Sequence, residues 1–125
     1  MLTLAAIEQA GAKPGDRIEH AAIADEFAMD WMRRLNLTIV TQPNFIAERV
    51  DAYRQDVPLE DQPHLWRLKS FADDGIKLAA GSDAPFGDPN PWAAMAAAVT
   101  RPSGFEAESI SPEAALALYT KPTEN

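Results

Sequence analysis

The chain has 125 residues, 46% of them hydrophobic, which is enough for one core-forming domain and too apolar for a disordered segment. Its formal net charge of -8 and pI near 4.6 exclude partners held through phosphate, which need clustered Lys and Arg, so neither nucleic acid nor an anionic membrane is expected. No apolar run reaches the roughly 20 residues of a spanning helix, no basic stretch leads into an apolar one at the N-terminus, and cysteine is absent. The expectation is a soluble, cytoplasmic protein without disulfides, thiolate ligands or a cysteine nucleophile.

Leu2 to Ala10 are good helix formers ending at Gly11 and predict a first helix. The Lys13-Pro14-Gly15-Asp16 turn leads into a short strand, Arg17 to Ala21. Asp25 is placed to cap a helix whose Phe27, Trp31, Met32 and Leu35 fall on one face, with Asn36 as its terminator. Leu37 to Gln42 is a dense β-branched run that reads as a buried parallel strand ended by Pro43. Asn44 to Pro63 takes no firm assignment beyond a helical turn or two within Phe45 to Tyr53, and long loops of this kind are often functional.

Pro63 suits the first turn of a helix carrying Leu65, Trp66, Leu68 and Phe71 and ended by Gly75. Ile76 to Ser82 is the third strand, Phe86 to Pro91 a loop, and Trp92 to Thr100 an alanine-rich helix. Ser111-Pro112-Glu113 combines a cap, a first-turn proline and an acidic residue, opening a last helix that runs to about Tyr119. Strands alternating with helical segments predict a parallel sheet in an α/β fold.

Two segments carry the chemistry. Arg17-Ile18-Glu19-His20-Ala21 and Gly81-Ser82-Asp83-Ala84-Pro85 each end a predicted strand with a potential metal ligand. Strand alternation puts Ile18 on the His20 face and turns Arg17 and Glu19 to the helices; Ala79 and Gly81 share the Asp83 face, and Ile76 and Leu78 meet the helices. On the middle strand, Leu37 and Ile39 lie under the helices, leaving Thr38, Val40 and Gln42 on the inner side, with Gln42 between His20 and Asp83. The ends of the first and third strands lie roughly 10 Å apart in a flat sheet, so convergence on one ion calls for curvature.

Five segments, in order, resemble the C-terminal part of a metal-dependent amidohydrolase: Arg17 to Ala21, Thr41-Gln42-Pro43, Gly81 to Pro85, Ala98-Val99-Thr100-Arg101, and Ser111 to Leu116 with Tyr119-Thr120. The branch that looks nearest is that of the N-substituted formamide deformylases. The resemblance implies a (β/α)8 barrel of which residues 1–125 form a single segment, about strands six to eight with their helices. It makes His20 the sixth-strand metal ligand and Asp83 the eighth-strand aspartate, which binds metal and takes a proton from the attacking water. The implied cofactor is a divalent metal, zinc for choice, and the implied substrate a small-molecule amide.

The family's first-strand His-x-His pair, its central bridging residue, its fifth-strand histidine and its flanking β-sandwich have no counterpart in this sequence. With two ligands where a catalytic zinc takes three, the chain is expected to be inactive alone. It is expected to self-associate or to need the missing barrel half, because two strand edges and an inner face lie open.

Taken singly, His20 reads as a hydrogen-bonded structural histidine, and Asp83 equally as a turn or capping residue. Gln42, Asn44 and Trp92 are candidates for the substrate side. His64 reads as a helix-entry residue, Trp31 and Trp66 as packing, Arg17 and Glu19 as paired charges, and Arg101 as a helix-end cap rather than an anion site. The alternative to a hydrolase segment is a non-enzymatic α/β remnant or interaction module. Phosphoryl transfer is disfavoured, since no Gly-rich phosphate loop occurs and Gly81-Ser82-Asp83 lacks a second nearby aspartate.

Overall fold

The computed structural model describes residues 1–121. Its centre is a three-stranded parallel sheet in the order β1 (Arg17–Glu19), β2 (Thr38–Thr41), β3 (Lys77–Ala80). The pairs run Ile18 to Ile39 to Leu78 and Glu19 to Val40 to Ala79 across the sheet. Each strand is shorter than the sequence predicts at its C-terminal end, because the backbone leaves the ladder just before the candidate ligands.

Helices α1 (Leu2–Ala10), α2 (Glu26–Arg34) and α5 (Lys69–Asp73) bury one face of the sheet. Leu37, Ile39 and Phe71 are fully buried there, with Leu4, Met29 and Met32 from the helices and Ile18 and Leu78 packed against them. Asp25 caps α2 by accepting from the Ala28 N–H at 2.8 Å, and Asn36 ends it in the left-handed region at φ 54°. The buried face of α2 is Ala28, Met29 and Met32 rather than the predicted Phe27-centred face; Phe27 is 61% exposed and stacks edge-on against Trp31 at 5.7 Å.

The segment left unassigned in the sequence contains α3 (Asn44–Glu48) and α4 (Val50–Asp56). The helix predicted from Pro63 is instead a single 3-10 turn at Gln62–His64, an extended stretch, and the short α5. Tertiary pairing overrides the helical pattern. Leu65 bridges Ile23, the Trp66 N–H donates to the Ala22 carbonyl at 2.8 Å, and Trp66 itself is left-handed at φ 46°.

Two buried arginines fasten this stretch. Arg101, expected to cap its helix end, instead donates to the carbonyls of Leu65, Trp66 and Phe105 at 2.8–3.0 Å, and burial draws its pKa down to about 10. Arg67 pairs with buried Glu108 at 3.2 Å, and Glu108 also accepts from the N–H groups of Leu68 and Ser70, thereby capping α5. Helices α6 (Pro91–Val99) and α7 (Pro112–Thr120) close a smaller core on β3 around Leu68, Ala98 and Ala115. Asn90 and Ser111 cap them, Ser111 as the sequence predicts. This parallel three-stranded α/β architecture is consistent with part of a hydrolase barrel.

Candidate functional site

The ends of β1 and β3 turn away from the sheet through left-handed residues. His20 has φ 70°, Ala21 φ 49° and Asp83 φ 56°. Such backbone costs of order 1–3 kcal/mol per non-glycine residue and persists only where neighbours enforce it. Of the five non-glycine residues with positive φ among the described residues, three (His20, Trp66 and Asp83) line a single cleft of about 360 Å³. That concentration makes the cleft the candidate site.

The left-handed turn also corrects the facing predicted for β1. Ile18 lies in register with Ile39 and packs on the helix side, so Arg17 and Glu19 belong to the opposite, inner face, where they pair with each other at 2.7 Å. Strict alternation would then send His20 toward the helices. Its positive φ releases it from the ladder, while its N–H still donates to the Val40 carbonyl at 2.8 Å.

The His20 ring meets Gln42 at the end of β2. Gln42 Nε2 donates to the Val40 carbonyl at 3.5 Å, which turns Oε1 toward His20 Nδ1 at 2.9 Å. A proton on Nδ1 matches this contact, and that tautomer leaves the Nε2 lone pair for a divalent metal. Trp66 stands edge-on to the same ring at 6.4 Å.

Asp83 reaches the cleft on a loop anchored from α3. Its carbonyl accepts from the N–H groups of Phe86 and Gly87 at 2.9 and 3.1 Å. Asn44 donates to the Ser82 carbonyl at 3.3 Å and to Glu48 at 3.0 Å, and Glu48 accepts from the Asp88 N–H at 3.0 Å. Gly87 is required by contact, since a Cβ there would stand 2.1 Å from the Ser82 carbonyl oxygen.

The structure thus brings His20 and Asp83 to one cleft, with Gln42 directly behind the imidazole. Asn44 is 2% exposed and holds the Asp83 loop from beneath. Trp92 is 72% exposed and lies elsewhere, beside Met95, Val99 and Leu116 in a groove between α6 and α7. His64 sits in the 3-10 turn with a buried Nδ1.

The remaining cleft wall escaped sequence reasoning: Phe45, Arg49 and Tyr53 from the unassigned segment, Trp66, and Phe86. The one available signal was the length of that segment. Burial raises the Tyr53 phenol above its usual pKa.

The donor set fits a divalent metal in kind, one neutral imidazole and one carboxylate, and falls short in number. Among the described residues, no group of three or more His, Cys, Asp or Glu side chains is placed to hold a metal ion. No helix among them is long and apolar enough to cross a membrane.

Comparison with known proteins agrees with this geometry. The chain is 32% identical to an uncharacterized metal-dependent hydrolase of Pyrococcus furiosus, superposing with a TM-score of 0.81 over 94% of this chain and 24% of that one. A metal-dependent hydrolase of Pyrococcus horikoshii OT3 gives 25% identity and the same TM-score over 94% and 25% of the two chains. The putative amidohydrolase YtcJ of Bacillus subtilis strain 168 is 29% identical over 128 residues, which are 94% of this chain and 24% of that protein. The chain therefore spans about a quarter of the length of these relatives. The amidohydrolase family matches residues 1–124, and the chain belongs to that family.

Proposed function

We propose that the chain is the strand-six-to-eight, C-terminal segment of a metal-dependent hydrolase that cleaves a carbon–nitrogen bond of a small amide, in the branch of the N-substituted formamide deformylases. The single observation that carries the reading is the His20–Gln42 pair beside Asp83. The imidazole is fixed with Nε2 free, and a carboxylate lines the same cleft.

In this reading His20 Nε2 and the Asp83 carboxylate hold a divalent metal, zinc by preference. Such an ion supplies Lewis acidity and makes a bound water acidic near neutral pH. Gln42 fixes the ring tautomer that leaves Nε2 free. As the water oxygen bonds to the amide carbonyl carbon, Asp83 would accept a water proton, and as the C–N bond breaks it would return that proton to the departing nitrogen, giving carboxylic acid and amine. The loop anchored by Asn44 and Gly87 keeps that carboxylate in reach. The remaining ligands come from barrel strands supplied by a longer polypeptide or a second chain, without which the segment is inactive and self-associates through its open strand edges.

The test is a chimera in which this chain replaces the matching quarter of the Pyrococcus furiosus hydrolase. It should retain metal and release formate from N-substituted formamides. Asp83→Asn should lower turnover by about 100-fold or more, and His20→Ala should lose metal. A folded chimera whose metal content and turnover ignore both substitutions overturns the proposal and favours a non-enzymatic module.

A further inference from the structure

Arg49 stands apart from the other arginines. The chain holds 19 acidic residues against 11 Lys and Arg, and Arg17, Arg33, Arg34, Arg54 and Arg67 each pair with a carboxylate. Arg101 is buried on three carbonyls. Arg49 is exposed, lines the cleft and forms no ion pair among the described residues, although Glu48 is its sequence neighbour. Glu48 is turned instead to Asn44 and the Asp88 N–H.

Its guanidinium is nonetheless held in place. It lies 4.8 Å over the Phe45 ring and donates to the Phe86 carbonyl at 3.4 Å. Phe45 contacts Trp66 at 5.3 Å between centroids, and Trp66 contacts His20 at 6.4 Å. One aromatic row therefore runs from a preorganised, unpaired guanidinium to the candidate metal-binding imidazole. A guanidinium fixed in this way, in an acidic protein, is matched to a planar anion; Phe45 and Trp66, 5% and 4% exposed, hold it in place rather than offer a stacking face.

We propose that Arg49 is a specificity-determining residue of the cleft, binding the carboxylate of a substrate whose amide reaches His20 and Asp83. The inference rests on the hydrolase reading for the identity of the ligand as a substrate. Binding is measured on the metal-free chain, so a failure here is separable from a failure of the chimera.

The probe is 3-phenylpropionate, compared with its neutral isostere 3-phenylpropionamide, followed by the NMR signals of Arg49 Nε–H and Trp66 Nε1–H. The carboxylate should move both signals and bind about tenfold or more tightly than the amide, the scale of a charge-assisted hydrogen bond. Arg49→Gln should remove that preference, and Arg49→Lys should keep it in weakened form. Equal binding of acid and amide, an unchanged preference in Arg49→Gln, or no response to the acid overturns the proposal.

Discussion

The two faces of the sheet differ in how completely they are partnered. On the helix face, Ile18, Ile39 and Leu78 form a cross-strand row sealed by Phe71, Met29 and Met32, all three of them buried. On the other face, Arg17 and Glu19 remain largely in water with only each other as partners, and both strand ends leave the ladder through left-handed residues. Burial is concentrated on the helix face, and the candidate ligands lie at the strand ends beyond it. The exposed Arg17 and Glu19 can therefore change without loss of the fold, whereas the helix face tolerates little.

The sharpest way to break this comparison is to cut into the sealed face. Phe71→Ala should destabilise the chain by about 3–5 kcal/mol, the usual scale for a buried aromatic, as measured by urea unfolding. Glu19→Ala on the open face should change stability by less than about 1 kcal/mol, because exposed ion pairs contribute little. Comparable losses from the two would contradict the assignment of faces.

Gly87→Ala tests whether the Asp83 loop is locally overdetermined. The added methyl would press on the Ser82 carbonyl and should cost about 1–3 kcal/mol. It should also displace the Asp83 amide signals in an NMR spectrum while leaving those of Phe71 and Ile39 in place.

Acid sensitivity should trace to Glu108. Burial opposes its ionisation, but the hydroxyl and N–H of Ser70, the N–H of Leu68 and the Arg67 guanidinium outweigh that and hold its pKa below the usual 4.5. A depressed folded pKa means that its contribution is present above about pH 4.5 and is lost as pH falls through the folded value. Glu108→Gln should therefore lower the thermal midpoint at pH 7 and flatten its decline below pH 4.5. Asp25→Ala gives a modest effect, about 1 kcal/mol, through loss of the α2 cap.

What the sequence made legible follows the same division. The helix-facing residues of β2 and β3, the Asp25 and Ser111 caps and the parallel order all follow from local periodicity and capping chemistry. The short α5 was not legible, because Leu65 and Trp66 keep a helical apolar pattern while long-range pairing to Ala22 and Ile23 holds them extended. His20 and Asp83 could be named from their strand-end motifs. The manner in which they reach one cleft could not, since alternation assumes regular strand backbone and both residues are left-handed. Arg49 carried no motif at all; its interest arises because its neighbour Glu48 is turned to the Asn44 amide and the Asp88 N–H instead.

The central claim is that His20 and Asp83 are two corners of a metal site that the rest of a barrel completes. Zinc titration of the chain alone, in wild-type, His20→Ala and Asp83→Asn forms, tests it most directly. The expected result is weak binding that a chelator reverses readily and that either substitution removes. Tight, stoichiometric zinc on a monomer, or binding indifferent to both substitutions, would contradict it.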